Sequence, residues 1–295
     1  MKSEIFFITH CPLCASSNIH QLFTIDRFEK PFDIWQCDAC FFRFRNPLPS
    51  AREEAGYYTE GYYEGTADYS YTDERKTEKY NSYVWKARLK TIGKYVKTGS
   101  LLDIGCSFGG FINFASAYYN CSGVESSPYA CNFALSRGLR VEQARAEEIN
   151  TQREAVDVIT MIEVIEHTRD PLTVLKKCAA MLRSGGLLVI QTADLHSWQA
   201  INAAANYHYY LPGHLSYFTE SSLSSALMFS GFSRIKVFRP VDFGLLAKLQ
   251  KMRGSFTNVR DYTKFFKTSI YHINSYFKRK GIPKTASMVI YAFKN

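Results

Sequence analysis

Short apolar runs bounded by glycine, proline and acidic residues recur from about residue 100 to the end of the chain. Residues 101–104 (LLDI) predict a strand, and 111–117 belong to the helix that follows it. Further strands are expected at 122–125, 140–142, 156–162 and 187–191. The run VDVITMI at 156–162 is apolar enough to be central, covered on both faces. Helices are expected at 128–136 and 172–182. In the second, Leu172, Val174, Leu175, Cys178, Ala179 and Leu182 share a face, and Gly185-Gly186 is expected to stop it. Two last strands fall at 235–238 and 288–293. Strands alternating with helices predict an α/β, doubly wound sheet. About 45 residues separate the last two strands, far more than a hairpin needs, so 243–283 is expected to be a helical excursion.

The front of the chain follows another pattern. Cys11-Pro-Leu-Cys14 and Cys37-Asp-Ala-Cys40 are two C-x-x-C pairs, flanked by short alternating runs at 34–36 and 41–44. Four thiolates so spaced make a tetrahedral zinc-ribbon site, and so small a module needs its metal to fold. We assign the ribbon to 1–48. A tyrosine-rich stretch follows, with Tyr57, Tyr58, Tyr62, Tyr63, Tyr69, Tyr71, Tyr80 and Tyr83, broken by Gly56, Gly61 and Gly65. It reads as loop or short helices, and its tyrosines at 57–63 are placed to form part of a lid. A lead-in helix is expected from about 75 to 96. The segments are therefore 1–48, 49–97 and 98–295.

The chemistry concentrates at the strand ends. Asp103 closes the first strand, and Gly105, Gly109 and Gly110 follow it. Glu125 tips the second strand. A tight turn that brings backbone to a ligand, then a carboxylate for ribose hydroxyls, is how such a sheet holds a nucleoside. Ser107 stands where a dinucleotide loop has its middle glycine. A carboxylate before the turn repels phosphate and pairs with an ammonium, which points to S-adenosylmethionine (SAM). Here the chain resembles the class I SAM-dependent methyltransferases, whose first motif reads apolar-apolar-Asp-x-Gly-x-Gly-x-Gly against Leu-Leu-Asp-Ile-Gly-Cys-Ser-Phe-Gly. The resemblance implies a Rossmann-like seven-stranded sheet with its last strand antiparallel. It implies cofactor contacts at Asp103, Gly105, Ser107, Gly109 and Glu125. Relatives often hold adenine with an acid after the third strand. Arg145 stands in that slot, which leaves the backbone at Ala146, or Glu147, for the contact.

Residues 161–171 read MIEVIEHTRDP, and L-x-x-G-G follows. Over roughly 95–235 the chain is similar to the branch that includes ubiquinone-pathway O-methyltransferases and many glycan and natural-product methyltransferases. Glu163 is counted with the cofactor contacts, and Glu166, His167 and the later His214 with the catalytic groups. One reading makes His167 or His214 a general base toward a substrate hydroxyl. Another makes Glu163, Glu166, His167 and His214 ligands of Mg²⁺ or Mn²⁺, as in the small-RNA terminal 2′-O-methyltransferases that the E-x-x-E-H also resembles. A third leaves them as helix caps and a structural histidine. Residues 198–218 add Tyr207, His208, Tyr209, Tyr210 and Tyr217, an aromatic surface suited to sugars or planar acceptors.

Charge and composition bound these readings. Forty-six per cent apolar residues in a 295-residue chain suffice for one α/β domain and a small appended module. No apolar run approaches a membrane span and the start lacks a secretory apolar region, so a cytoplasmic protein is expected. The net charge is +9, and the stretch from Pro240 to the end, with eleven Lys/Arg against Asp242 and Asp261, carries all of it. That stretch suits nucleic acid, acidic lipid, an anionic substrate or plain solvent. The leading expectation is O-methylation of a sugar, glycan or other small acceptor. Sugar methyltransferases with an N-terminal cysteine zinc module are similar in their front half. RNA methylation, and a non-catalytic zinc-ribbon interaction protein, are the alternatives.

Overall fold

A computed structural model describes residues 6–64, 73–152, 155–256 and 261–295. Gly65, Tyr69 and Tyr71, named above, lie outside them, as does Arg260, one of the eleven cations counted after Pro240. The chain opens with strands β1 (Ile19–Ile25), β2 (Phe32–Cys37) and β3 (Arg43–Arg45), then helices α1 (Ala51–Tyr57), α2 (Glu60–Glu64) and α3 (Glu78–Ile92). The α/β part runs β4 (Ser100–Ile104), α4 (Gly110–Ala115), β5 (Asn120–Glu125), α5 (Pro128–Ser136), β6 (Val141–Gln143), β7 (Val156–Ile162), α6 (Pro171–Met181) and β8 (Leu182–Ala193). Next come α7 (Trp198–Ala203), β9 (Ser216–Tyr217), α8 (Glu220–Phe229) and β10 (Phe232–Phe238). The excursion holds α9 (Leu245–Met252), α10 (Tyr262–Ser275) and a small hairpin, β11 (Lys278–Arg279) with β12 (Ile282–Pro283). Strand β13 (Ser287–Lys294) closes the chain.

The main sheet has seven strands in the order β10-β13-β8-β7-β4-β5-β6. Strands β4 to β8 are parallel, and β13 runs antiparallel between β8 and β10. Alternation along each strand feeds two cores. Leu102, Ile104, Ile159, Met161, Leu188 and Ile190 face α6 and α8. Leu101, Val158, Leu187 and Val189 face α3 and α4. Helix α6 starts where Asp170 accepts from the Thr173 N–H at 2.9 Å, with Pro171 in its first turn.

One expectation changes. The helix ends at Met181, before Gly185-Gly186, and β8 begins at Leu182. Val156 pairs with Leu182 and Val158 with Leu187, so the glycines let β8 loop out between two paired segments.

The ribbon is built into the fold. Its sheet runs β1-β2-β3-β9, and β9 comes from residues 216–217: Arg43 pairs with Tyr217 and Phe44 with Ser216. Phe42 and Phe44 are fully buried in the same core as α6 and α8, with Phe42 5.1 Å from the Phe218 ring. Burying two phenylalanines at such a seam contributes several kcal/mol, about 1.5–3 for each.

Candidate active site at the carboxyl end of the sheet

The turn after β4 holds Gly105 at φ 76°, Ser107 at 50° and Gly109 at 76°. A Cβ on Gly105 would stand 2.4 Å from Val164, and one on Gly109 2.4 Å from Leu139, so both positions need glycine for close packing as well as for φ. Ser107 takes the left-handed conformation because its N–H donates to Glu125 Oε2 at 2.8 Å. Glu125 Oε1 accepts from the Ser127 N–H at 2.8 Å and from Tyr63 Oη at 3.5 Å. Asp103 is buried and accepts from Thr160 Oγ1 at 2.6 Å. Burial pushes it up to about 7, with the Glu125 charge adding to the shift.

A third acid joins them. Glu74, from the turn before α3, reaches within 3.6 Å of where a Cβ on Gly110 would sit, and burial and the Asp103 charge push it to about 7. Glu74 Oε1 and Ser107 Oγ are sealed from solvent with no hydrogen-bond partner among the described residues. Three carboxyl groups and two orphaned polar atoms around a backbone turn fit a cationic, hydroxyl-rich ligand and disfavour a phosphate. The residues present therefore fit SAM.

In the adenine slot, Arg145, Ala146 and Glu147 have partners of their own. Arg145 turns to pair with buried Glu54 of α1, which also accepts from Arg169 Nε at 2.6 Å. Glu147 accepts from the Arg169 N–H at 2.6 Å, and Ala146 packs against the apolar core. Glu54, Arg169 and Glu74 carried no warning in the sequence. The Ser50-x-x-Glu53 capping box that starts α1 was the one local signal near Glu54.

Beyond β7, Glu163 sits at φ 56°, a strained value for a non-glycine residue, and its carboxylate accepts from Gln191 Nε2 at 2.6 Å. Glu166 is fully buried. It accepts from Tyr209 Oη at 2.5 Å and from Thr192 Oγ1 at 3.1 Å. Burial, and then the Glu163 charge, raise it well above the usual carboxylate range. His167 Nδ1 lies 2.9 Å from the Gly213 carbonyl and 2.7 Å from Tyr58 Oη. A carbonyl only accepts, so Nδ1 carries the proton, and Nε2 is left with its lone pair. Burial lowers His167 to about 4. His214 Nδ1 lies 2.8 Å from the Tyr209 carbonyl, and burial lowers it too. The two imidazole centres are 4.6 Å apart.

Ligand atoms of Glu166, His167 and His214 fall within 4.8 Å of one another. Of the four residues expected around a cation, Glu163 is the one left out of this group; Gln191 holds it instead. Beside Glu163 a cleft of about 460 Å³ opens, walled by Gln191, Lys248, Lys267, Tyr271 and His272. A larger cleft, lined by Gly99, Asn120, Arg140 and Arg183, lies at the amino ends of the strands, away from this chemistry.

The four ribbon cysteines also converge. Sγ atoms of Cys11 and Cys40, and of Cys14 and Cys37, are 3.6 Å apart, and all four lie within 4.8 Å. A Zn–S tetrahedron of about 2.3 Å bonds has edges of about 3.8 Å, so the set fits zinc.

Residues 77–237 match the family model described as a methyltransferase domain. A ubiquinone biosynthesis O-methyltransferase of Parvibaculum lavamentivorans is 38% identical over 101 residues, which is 32% of this chain and 40% of that protein. The Coxiella burnetii enzyme of the same name is 35% identical over 117 residues, 36% of this chain and 50% of that one. The match thus spans half or less of these relatives. Among solved structures, Haemonchus contortus phosphoethanolamine N-methyltransferase 2 in complex with SAM aligns at TM-score 0.57 and 16% identity. It covers 92% of this chain and 71% of that one. This likeness concerns the fold.

Proposed function

The chain belongs to the methyltransferase-domain family, and on that premise we propose that it methylates a hydroxyl oxygen of a small acceptor, such as a sugar, from SAM. When bound, SAM supplies a methyl group on a sulfonium, already a good leaving centre. The protein's part is to hold the acceptor in line and take its proton. We assign the cradle to Asp103, Gly105, Ser107, Gly109, Glu125 and Glu74, with Asp103 facing the ammonium. His167 takes the proton on Nε2. The observation that carries this reading is an imidazole tethered through Nδ1 to the Gly213 carbonyl just past the carboxyl end of β7, the strand that pairs in parallel with β4, whose own carboxyl end bears the glycine turn. His214 and Glu166 hold the wall beside it. The four ribbon cysteines hold a structural zinc.

A small acceptor is favoured over RNA by what the ribbon's cations do. Arg27 donates to the carbonyls of Ala205 and Tyr207 at 2.9 and 3.0 Å. Arg43 donates to Tyr210 Oη at 2.9 Å, and Arg45 to the Pro212 carbonyl at 2.7 Å. They bind the protein's own loop, so these three arginines are spent on the fold rather than offered to a polyanion. The comparison with O-methyltransferases supports oxygen as the target, and we place the protein in the cytoplasm.

The test measures methyl transfer from labelled SAM to a panel of hydroxylated small molecules and to RNA. His167→Ala should lower turnover by about 100-fold or more while SAM affinity by calorimetry holds. An unchanged rate would remove His167 from the chemistry. A rate that depends on added Mg²⁺ or Mn²⁺ would make Glu166, His167 and His214 ligands instead. Transfer to RNA alone would overturn the small-acceptor reading.

A further inference from the structure

Helix α10 is amphipathic in the reverse sense. Tyr262, Phe266, Ile270 and Ile273 follow one another at spacings of four, four and three, so they line one face of the helix, and they are exposed, as is Phe277 just past its end. Phe266 is 70% and Ile273 54% accessible, and Tyr276 beside them 78%. The inward side is polar: His272 and Ser275 are buried, and Thr268, Tyr271 and His272 line the cleft next to Glu163. A helix that spends its polar side on a cleft and shows an aromatic stripe outward needs something to cover the stripe.

Charge decides what covers it. Lys264 and Lys267 flank the stripe, and Lys278, Arg279, Lys280 and Lys284 follow on the β11–β12 hairpin, all exposed. From Tyr262 to Asn295 the sequence contains no Asp or Glu. A second copy docked through this face would set the same cations against each other, which disfavours a two-fold dimer. Nucleic acid would welcome the cations but gains nothing from Ile270 and Ile273. An anionic lipid surface matches both features: the aromatic and aliphatic side chains enter the acyl boundary and the cations meet the headgroups. The helix has 14 residues, about 21 Å, too short to span a bilayer core, so it would lie in the interface.

We propose that the outer face of α10 and the β11–β12 hairpin dock this protein on an anionic membrane surface, with the acceptor cleft opening behind the same helix. The docking does not depend on the acceptor assigned above. Flotation of the full chain, with its zinc, on vesicles tests it. Vesicles with about one third phosphatidylglycerol should bind at least about 10-fold more protein than pure phosphatidylcholine, and high salt should weaken the binding. The double variant Phe266→Ser/Ile273→Ser and the double variant Lys278→Glu/Lys280→Glu should each lose about 10-fold in partitioning, with circular dichroism and SAM affinity unchanged. Absence of flotation on the anionic vesicles at low salt would overturn the proposal. So would a dimer in sedimentation that Phe266→Ser/Ile273→Ser dissolves, which would make a second copy the occupant. RNA binding that the lysine variants abolish and the apolar variants leave intact, without flotation, would overturn it in favour of nucleic acid.

Discussion

The ribbon and the excursion use similar residues in opposite ways. The ribbon turns its arginines and phenylalanines inward: Arg27, Arg43 and Arg45 bind loop 205–212, and Phe42 and Phe44 enter the main core. The excursion turns Phe266, Ile270 and Ile273 outward and surrounds them with lysines. Both stretches are rich in aromatic residues and carry several cations in the sequence, although those of the ribbon are balanced by acids. The difference is that β3 has a partner strand in β9, whereas among the described residues Phe266, Ile270 and Ile273 of α10 stay exposed. Composition alone does not separate a structural wall from an open surface; the pairing does.

The largest effect should come from stripping the metal. Cys37→Ser, or zinc removal by chelation, takes away binding energy that in small zinc modules is folding energy. The ribbon should unfold, β9 should lose its pairing, and the loop carrying His214 should loosen. Turnover should fall by about 100-fold or more, while SAM binding at the glycine turn weakens far less. Metal content, calorimetry and rate on the same sample check this. Equal loss of SAM affinity and turnover would mean that the ribbon supports the whole fold rather than one wall.

Phe44→Ala should cost about 3–5 kcal/mol, because it leaves a cavity in a fully buried seam. Denaturant melts measure it. A cost under about 1 kcal/mol would show the seam to be loose, and the ribbon then resembles the excursion more than the structure says.

The cradle was legible because it is local. Asp103, Gly105, Ser107 and Gly109 fall in seven consecutive positions, and Glu125 belongs to the next strand, so spacing alone brings them together. The E-V-I-E-H edge was legible for the same reason. Glu74, Glu54 and Arg169 were not, because their partners lie far away in sequence: Glu54 meets residues 145 and 169. The sequence showed two C-x-x-C pairs but no sign that the ribbon borrows a strand from residues 216–217. A two-residue strand has no periodicity to read. The Gly185-Gly186 pair misled for a related reason: a turn glycine looks alike after a helix and within an interrupted strand.

Next in size is an effect of the ribbon on chemistry. Arg45 pins the segment at Pro212 and Leu215, and that segment covers His167 through the Gly213 carbonyl. Burial holds His167 near 4, below the 6.5 of an unperturbed histidine. The unfolded chain therefore binds a proton that the folded chain refuses, so this site costs stability as pH falls from about 6.5 toward 4. With His167 as base, the acid limb of the rate profile should lie well below 6.5. Arg45→Ala should loosen the cover and move that limb upward, by as much as about two units, toward the unperturbed value. A limb that stays in place would separate His167's environment from the ribbon. Lys280→Ala, in the excursion, should leave the profile unchanged.

The smallest effect sharpens the comparison most. Phe266 is as large and as aromatic as Phe44, yet it is 70% exposed where Phe44 is 1%. Phe266→Ala removes little packing and leaves no cavity, so free in solution it should change stability by less than about 0.5 kcal/mol. On anionic vesicles the same substitution should remove part of the stabilisation that lipid gives, since a surface that binds only the folded chain adds to its stability. The melting shift between lipid-free and lipid-bound protein should therefore shrink in Phe266→Ala and stay the same in a substitution of an exposed residue outside the excursion, such as Lys30→Ala. If Phe266→Ala destabilises the lipid-free protein as much as Phe44→Ala does, the outward stripe is covered by the chain's own residues, and the contrast between the two regions fails.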